Sequence, residues 1–381
     1  MRIAYDVRPF LKDETGVGVY LKNLLFALAQ ADKTNEYYLL SSSFKDRFQP
    51  EKIPSFSRMS FRDFRFPTKI VDFAWYSIKW PPLDTIFRTT LDLTHSATPL
   101  ILPTKGKKII TICDLFFLDF PSLTGKEART YFSRKLASSL QQADGIVSIS
   151  HFIKKQLLQR FLLPEEKVRV IHLGVDTQMK KPLSKTHIEQ IKQKLSLPPS
   201  FLLFIGTIEP RKNLAALIDA LKILHRSHKE NIPLIIAGHK GQGTPRLLDK
   251  IKETGLESCI RLIGYVSDAE KQALYQLASV LVFPSLCEGF GLPLLEAMAN
   301  SLPVAASKGS AFSEVGKDAV SYFDPKNPED IASSILSVLK NSTLRKKMVE
   351  RGKKRAGEFD WRKTALQTLR LYKDVMEKRI R

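Results

Sequence analysis

Two glutamates stand eight residues apart in CEGFGLPLLEAMAN, residues 287–300, directly behind the apolar run SVLVFPSL. The run reads as a buried strand and LPLLEAMAN as a helix, with Pro293 in the first turn, where a missing N–H costs little. CEGFG is then the turn at the strand's carboxyl end. Gly289 and Gly291 admit positive φ and let a ligand approach the backbone closely. The N–H groups of Gly291, Leu292 and their neighbours point from the helix N-terminus toward an anion, most naturally a phosphate. Glu296, about one turn in, faces the same mouth, where a carboxylate suits a pair of vicinal sugar hydroxyls. Glu288 is placed to accept hydroxyl bonds from a group attached to that phosphate. A phosphate between two polyols is a nucleotide-sugar. The plainer alternative has Glu296 complementing the helix dipole and Glu288 facing solvent. Either glutamate alone would favour that alternative; two of them flanking Gly-Phe-Gly favour the ligand.

FLLFIGTIEPRKNLAALIDAL, residues 201–221, repeats the strand–turn–helix pattern and places Arg211 and Lys212 at the helix start. Cations there oppose the helix dipole. Neutralising a diphosphate leaving group would explain them. Near the N-terminus, TGVGVYLKNLL puts Gly16, Val17 and Gly18 between the first strand and the first helix. A lone Gly-x-Gly is most often a tight packing turn; beside a phosphate site it becomes a floor for the junction of donor and acceptor.

These groups need a scaffold. Strand-like runs recur as RIAYDV, YYLLSS, KKIITIC, GIVSIS, VRVIHL, FLLFIG, PLIIAG, IRLIGY and SVLVFPS, most of them continuously apolar, as expected of strands covered on both faces. Helical stretches such as GVGVYLKNLLFALAQ, NLAALIDALKILHRS and DAEKQALYQLAS lie between several of them. Strand–helix alternation implies parallel sheets with right-handed crossovers. At 381 residues the chain suits two domains. The polar, Lys-rich stretch 177–197 separates them, giving residues 1–176 and 198–360, with 361–381 as a closing helix. The expected fold class is α/β: two doubly wound, Rossmann-like domains facing across a cleft, with ligands beyond the carboxyl ends of the strands.

Composition narrows the partners. Three cysteines without paired spacing fit a reducing compartment, and the seven histidines show no metal-ligand spacing. No run reaches the roughly 18 apolar residues of a membrane span, and the N-terminus lacks an apolar signal core. The expectation is a cytoplasmic protein, soluble or peripheral. The formal net charge is +21, and residues 340–381 alone hold fifteen Lys/Arg against five Asp/Glu. That balance calls for an anionic partner or a solvated basic helix face. A second basic, aromatic segment, residues 56–80, is the preferred surface for an anionic membrane.

The blocks PSLCEGFGLPLLEAMANSLPVAAS, GTIEPRKNL, GYVSDAEKQALYQLA, VRVIHLGVD, DETGVGVYLKNLL and FDWRKTALQTL together resemble family 4 of the retaining glycosyltransferases, which has the GT-B fold. The resemblance spans nearly the whole chain. It implies transfer of a hexose, mannose or glucose in type, from a GDP- or UDP-sugar with retained configuration and without a metal or other cofactor. It implies that Glu288 binds donor-sugar hydroxyls, that Phe290 and Gly291 approach sugar and phosphate, and that Glu296 binds the ribose. Arg211 and Lys212 fall to the diphosphate, Gly16 and Val17 to the N-terminal wall, and Tyr265 and Val266 to the segment whose backbone reads the base. The last helix is implied to cross back to the N-terminal domain. The acceptor class is a glycan, glycolipid or polyprenyl-linked hydroxyl, in cell-surface polysaccharide or lipopolysaccharide synthesis on the cytoplasmic face of the inner membrane. Two positions depart from the pattern: Cys113 precedes Asp114 where many members have His, and Thr207 follows Gly206 where many have Arg.

The chemistry then expected is departure and attack on one face of the sugar, with Arg211, Lys212, Glu288 and Asp114 around the reacting centre and no protein nucleophile. Two rivals belong to other classes. A nucleotide-sugar epimerase shares the architecture but not the Glu-Gly-Phe-Gly and Glu-Pro-Arg-Lys blocks. A nucleic-acid-binding protein would explain the charge and nothing of the cleft. A dinucleotide-dependent dehydrogenase would need a third glycine after GVG.

Overall fold

The structure, a computed structural model, describes residues 1–10, 16–44, 53–124, 132–175 and 182–377. It divides into two compact units, residues 1–174 with those from Asp360 on, and Val175–Phe359. The stretch 177–197, expected as a linker, holds the helix Lys185–Lys194 within the second unit. Ser184 caps that helix and Ile191 is buried, while Lys194 pairs with Glu270 at 2.8 Å, so its polar face hid a packed element.

The first unit is a seven-stranded sheet of β1 (Arg2–Asp6), β2 (Glu36–Ser42), β3 (Met59–Phe64), β4 (Leu93–Ser96), β5 (Lys107–Ile112), β6 (Gly145–Ser148) and β7 (Val168–Val170). Every pairing is parallel, and the order is β3-β2-β1-β4-β5-β6-β7. The order reverses between β1 and β4. Central strands such as β4 and β6 are buried throughout, whereas edge strand β3 is largely exposed. Sequence reading missed β3 because MSFRDF has no apolar run, and β4 because LTHS is short and half polar.

The helix Trp361–Met376 packs on the helix Gly16–Ala31 in this unit. Asp360 caps it through Arg362 N at 2.7 Å. Gly145 leaves room for Val375: a Cβ there would lie 3.0 Å from Val375 Cγ2. Leu371 and Val375 are buried, while Leu366 stays 45% exposed. A polar chain crosses this apolar interior. His95 Nδ1 lies 3.2 Å from the Tyr5 hydroxyl and 2.6 Å from that of Tyr372; its Nε2 lies 2.8 Å from Thr111 Oγ1, which is 2.9 Å from the Tyr20 hydroxyl. Tyr5 and Tyr372 also touch through their hydroxyls. Burial pulls the His95 imidazole down to about 3, so it is neutral in the fold.

The second unit is a six-stranded, all-parallel sheet of β8 (Leu202–Ile205), β9 (Leu234–Ala237), β10 (Ile260–Gly264), β11 (Val280–Phe283), β12 (Val304–Ser307) and β13 (Val320–Phe323), in the order β10-β9-β8-β11-β12-β13. Its reversal point lies between β8 and β11. Phe204 stacks on Phe283 at 5.3 Å, and Phe283 meets Phe312 edge-on at 5.4 Å, which closes the core beneath the carboxyl ends of those strands. Among the described residues no helix is long and apolar enough to cross a membrane.

Candidate active site

In an open parallel sheet, the loops leaving the two strands at the reversal point diverge and open a crevice. In the second unit these are the segments after β8 and β11, and they carry Arg211, Lys212 and Glu288. Pro210–Lys212 form a single 3-10 turn before the helix Leu214–His228, with Asn213 between them at φ 55°. The cations therefore lie in the turn before the helix, separated from it by Asn213, instead of opening it. Asn213 Nδ2 donates to the Pro284 carbonyl at 3.2 Å and the Pro325 carbonyl at 2.7 Å, and Leu286 N donates to Arg211 O at 2.9 Å. These bonds lock the two loops in register.

Glu288 meets both cations. Its Oε1 accepts from Lys212 Nζ at 2.5 Å and Arg211 Nη1 at 3.1 Å, and Arg211 Nε donates to Glu209 Oε2 at 2.7 Å. Lys212 Nζ also lies 4.9 Å from the Phe283 ring centroid. Burial alone would raise the Glu288 carboxyl; the charges of Lys212 and Arg211 outweigh it and hold the group down to about 2. Burial and the Arg211 charge pull the Lys212 ammonium downward, and Glu288 opposes them. The cations thus have a structural partner that sequence reading did not supply, and Glu288 is a buried ion-pair member instead of a solvent-facing group.

Of the two turn glycines, Gly291 takes the left-handed backbone, at φ 101°; Gly289 is not among the residues with positive φ. Gly291 has a second constraint, since a Cβ there would lie 2.6 Å from Phe312 Cε1. Leu292 opens the helix Leu292–Ala299, and Phe290 is buried with its ring edge-on to Phe359 at 5.6 Å. Glu296 is 9% exposed. Its Oε2 accepts from the Tyr275 hydroxyl at 2.8 Å and its Oε1 from Lys271 Nζ at 3.2 Å. Burial and the neighbouring carboxylate push the Tyr275 phenol well above its ordinary range, so it stays a donor. A carboxylate fixed from behind in this way presents its remaining lone pairs in one direction.

Three glycines line the carboxyl ends of β8, β9 and β10. Gly206 N donates to Ala237 O at 2.9 Å and Gly238 N to Gly264 O at 2.7 Å; a Cβ on Gly238 would lie 2.2 Å from Gly206 O. Thr207 follows on this floor. Beyond Gly264, Tyr265 is 54% exposed and stacks on His239 at 4.6 Å, while Val266 is buried. Exposed aromatic surface beside a backbone turn suits the face of a base.

In the first unit, Gly16 opens the helix Gly16–Ala31 and faces open space, with no atom within 4 Å of where a Cβ would stand; Val17 is half-buried and Gly18 buried. Asp114 follows β5, where its Oδ1 accepts from Phe116 N at 3.3 Å. Burial, then Asp114, raise the Cys113 thiol above its usual range, which leaves it un-ionised at neutral pH.

Known proteins share this fold. The family model described as "Glycosyltransferase Family 4" matches residues 15–179, and the one described as "Glycosyl transferases group 1" matches residues 187–355. The chain belongs to family 4 of the glycosyltransferases. A curated family relative, the O-antigen chain mannosyltransferase B of Escherichia coli, is 29% identical over 98% of this chain and 100% of its own. Among solved structures, sucrose-phosphate synthase from Thermosynechococcus elongatus is 18% identical with a TM-score of 0.77, covering 99% of each chain. The HepE protein of Anabaena in complex with UDP and glucose is 18% identical with a TM-score of 0.74, covering 98% of this chain and 100% of its own. The fold is therefore that of the GT-B glycosyltransferases, and the chain is a glycosyltransferase. Within the family 4 frame, sequence reasoning missed Tyr275, Lys271, Gly238 and Phe312. Gly238 and Phe312 lie outside the motif blocks, and Lys271 and Tyr275, although inside GYVSDAEKQALYQLA, meet Glu296 only through the sheet order.

Proposed function

We propose that this glycosyltransferase moves a hexose, mannose in the first instance, from a nucleotide-diphosphate sugar to a hydroxyl of a growing glycan or lipid-linked acceptor in cell-surface polysaccharide or lipopolysaccharide synthesis. The observation that carries the reading is the pairing of two cations, Arg211 and Lys212, on one buried carboxylate at the reversal point of the second sheet. A diphosphate arriving there meets donors already gathered and desolvated. The activity in the name of the Escherichia coli relative, which spans the whole chain, supports mannose.

Each residue then has a task. Arg211 and Lys212 neutralise charge that develops as the diphosphate departs, an interaction stronger in the transition state than in the ground state. Glu288 keeps both cations in place and offers its second oxygen to the sugar hydroxyls. Glu296, held by Tyr275 and Lys271, takes the ribose, and Tyr265 with Val266 borders the base. Gly291 keeps the backbone open to the phosphate. No side chain is assigned as a nucleophile; a leaving phosphate oxygen takes the acceptor's proton on the same face, which retains the anomeric configuration. Asp114 is assigned to the reacting centre, and Gly16, Val17 and Gly18 to the donor where it meets the acceptor.

The reading includes transient docking on the anionic cytoplasmic membrane face. Residues 56–80 support it, since Phe66, Ile70, Phe73, Ile78 and Trp80 are all more than half exposed among Arg62, Arg65, Lys69 and Lys79. The basic tail contributes less, because Arg345, Arg351 and Arg355 are spent on local carbonyls and carboxylates.

Calorimetric titration with GDP-mannose, UDP-glucose and other GDP- and UDP-sugars tests the donor assignment, and NMR of the product's anomeric carbon tests retention. Transfer should persist in EDTA, since Arg211 and Lys212 fill the place of a charge-neutralising ion. Equal failure of every donor to bind, or loss of activity on chelation with rescue by manganese, overturns the corresponding part.

A further inference from the structure

A cavity of about 440 Å³ lies in the first unit, between the π-helical turn Ala74–Ile78, the segment 100–105 and the helix Ser133–Gln142. Its position is away from the carboxyl edge of the sheet. Lys105 and Lys108 stand where β5 begins, and Gln142 precedes the start of β6, so its floor is at the amino edge. Lys108 alternates with Ile110 and Ile112, which places it on the sheet face that carries the apolar clusters around Ile110 and around Ala4. The cavity is the seam between those clusters.

Its lining is one-sided in charge. Lys79, Lys105, Lys108 and Lys135 contribute four cations and no lining residue is acidic. Among the described residues Lys105, Lys108 and Lys135 form no ion pair, and Lys79 Nζ donates to a neutral partner, Gln142 Oε1, at 2.8 Å. Lys107, on the opposite face of β5, shows the contrast: it is neutralised by Asp144 at 2.8 Å. Lys135, Ser138, Ser139 and Gln142 recur at i, i+3, i+4 and i+7, so one helix face brings a cation, two hydroxyls and an amide into the same space. The remaining wall is mostly apolar, carried by Trp75, Pro82, Leu100, Ile101 and Pro103, with Ser77 and Thr104 adding hydroxyls. Lys79 reaches the cavity from a left-handed backbone, φ 60°, at the end of the π-helical turn, and it is flanked directly in the chain by exposed Ile78 and Trp80.

We infer that this cavity is a binding site for a lipid-borne phosphate, the head of an anionic glycerophospholipid. Lysines unpaired by carboxylates and hydroxyl donors match the phosphate; the apolar wall matches the glycerol and first acyl carbons; the adjoining exposed ridge matches the membrane from which the lipid comes. A volume of this size accommodates the head group. The site adds a defined, saturable lipid pocket to the docking reading above. It rests on that reading only for the source of the ligand, and it is independent of the donor chemistry.

The test uses the full chain and calorimetry with dihexanoyl phosphatidylglycerol below its micelle concentration, so that no membrane is needed. One lipid should bind per chain, with affinity falling as salt rises. Glycerol 1-phosphate, the phosphate without acyl chains, should bind more weakly, and dihexanoylglycerol, which lacks the phosphate, should not bind. Lys108→Gln and Lys135→Gln should each weaken the phospholipid about fivefold, equivalent to about 1 kcal/mol per cation, with nucleotide-sugar binding unchanged. Ile78→Ser with Trp80→Ser should lose sedimentation with anionic liposomes yet keep the soluble lipid, which separates this site from general docking. Absence of saturable binding, or equal affinity in the Lys108→Gln/Lys135→Gln double variant, overturns the site. Glycerol 1-phosphate binding as tightly as the phospholipid overturns the lipid and assigns the cavity to a free phosphate; dihexanoylglycerol binding as tightly overturns the phosphate.

Discussion

Glu288→Gln is the sharpest probe of the ion-pair cluster. It keeps the shape of the side chain and removes the charge that Lys212, 7% exposed, meets at 2.5 Å. Stripping one partner from a buried pair leaves the other charge stranded, which costs about 3–5 kcal/mol. The depressed carboxyl points to the same size. A carboxyl held at about 2 against an ordinary 4.5 contributes about 3 kcal/mol at neutral pH. For a body of this size that loss lowers the melting temperature by about 6–12 °C. The assay is a calorimetric scan at pH 7 of wild type, Glu288→Gln, Lys212→Met and the double variant. Lys212→Met with Glu288→Gln should melt above Glu288→Gln alone, because the stranded ammonium is gone. The pH dependence has a fixed sign. A carboxylate with a depressed folded value stabilises above its unfolded value and loses that effect as pH falls through the folded one. The gap between wild type and Glu288→Gln should therefore hold above about pH 4.5 and close toward about pH 2. A Glu288→Gln melt within about 2 °C of wild type, or a double variant no more stable than the single, would refute the reasoning.

Three further outcomes follow from named contacts. Tyr275→Phe removes the hydroxyl that orients Glu296, and should raise the donor KM about tenfold with little change in kcat; an unchanged KM would detach Tyr275 from the site. Gly291→Ala should destabilise by about 2 kcal/mol through its positive φ and its clash with Phe312. Adding Phe312→Leu should recover only the clash, and full recovery would show that backbone strain is negligible. His95 binds a proton in the unfolded chain below about pH 6.5 but not in the fold until about 3, so stability should fall with pH across that window by about 1.4 kcal/mol per unit. Urea melts of His95→Gln should lack that slope; an identical slope would assign it elsewhere.

Legibility in the sequence tracked burial and continuity. LLFI, LIIA and VLVF are apolar throughout because both faces of a central parallel strand are covered, so β8, β9 and β11 could be read directly. VAAS, β12, is made of small residues and a serine, and VSYF, β13, has half-buried Ser321 and Tyr322 in mid-strand, so neither is a strong apolar run, and the edge strand β3 mixes aromatic and charged residues in a way that equally suits a surface segment. At the site, Arg211, Lys212, Glu288 and Gly291 were legible because strand, turn and helix leave a local signature. Tyr275 and Lys271 were not. They lie on the polar-to-apolar boundary of the helix Asp268–Leu277, where nothing in the local pattern says which carboxylate will arrive from another part of the sheet.

The helix Trp361–Met376 completes the unit that begins at Met1, and all of Val175–Phe359 is made in between. On the ribosome the first sheet must therefore wait for its last piece. At about 5–20 residues per second the interval is roughly 10–40 s. Throughout it the groove beside Gly145 has no Val375, and the hydroxyl of Tyr5 and the imidazole of His95 have no Tyr372. The second unit, continuous in the chain, is complete before the first. Nascent chains arrested before residue 360 should thus carry a finished second unit and an open, chaperone-accessible first one, and the final turns of translation act as the closing step of folding for the half that was synthesised first.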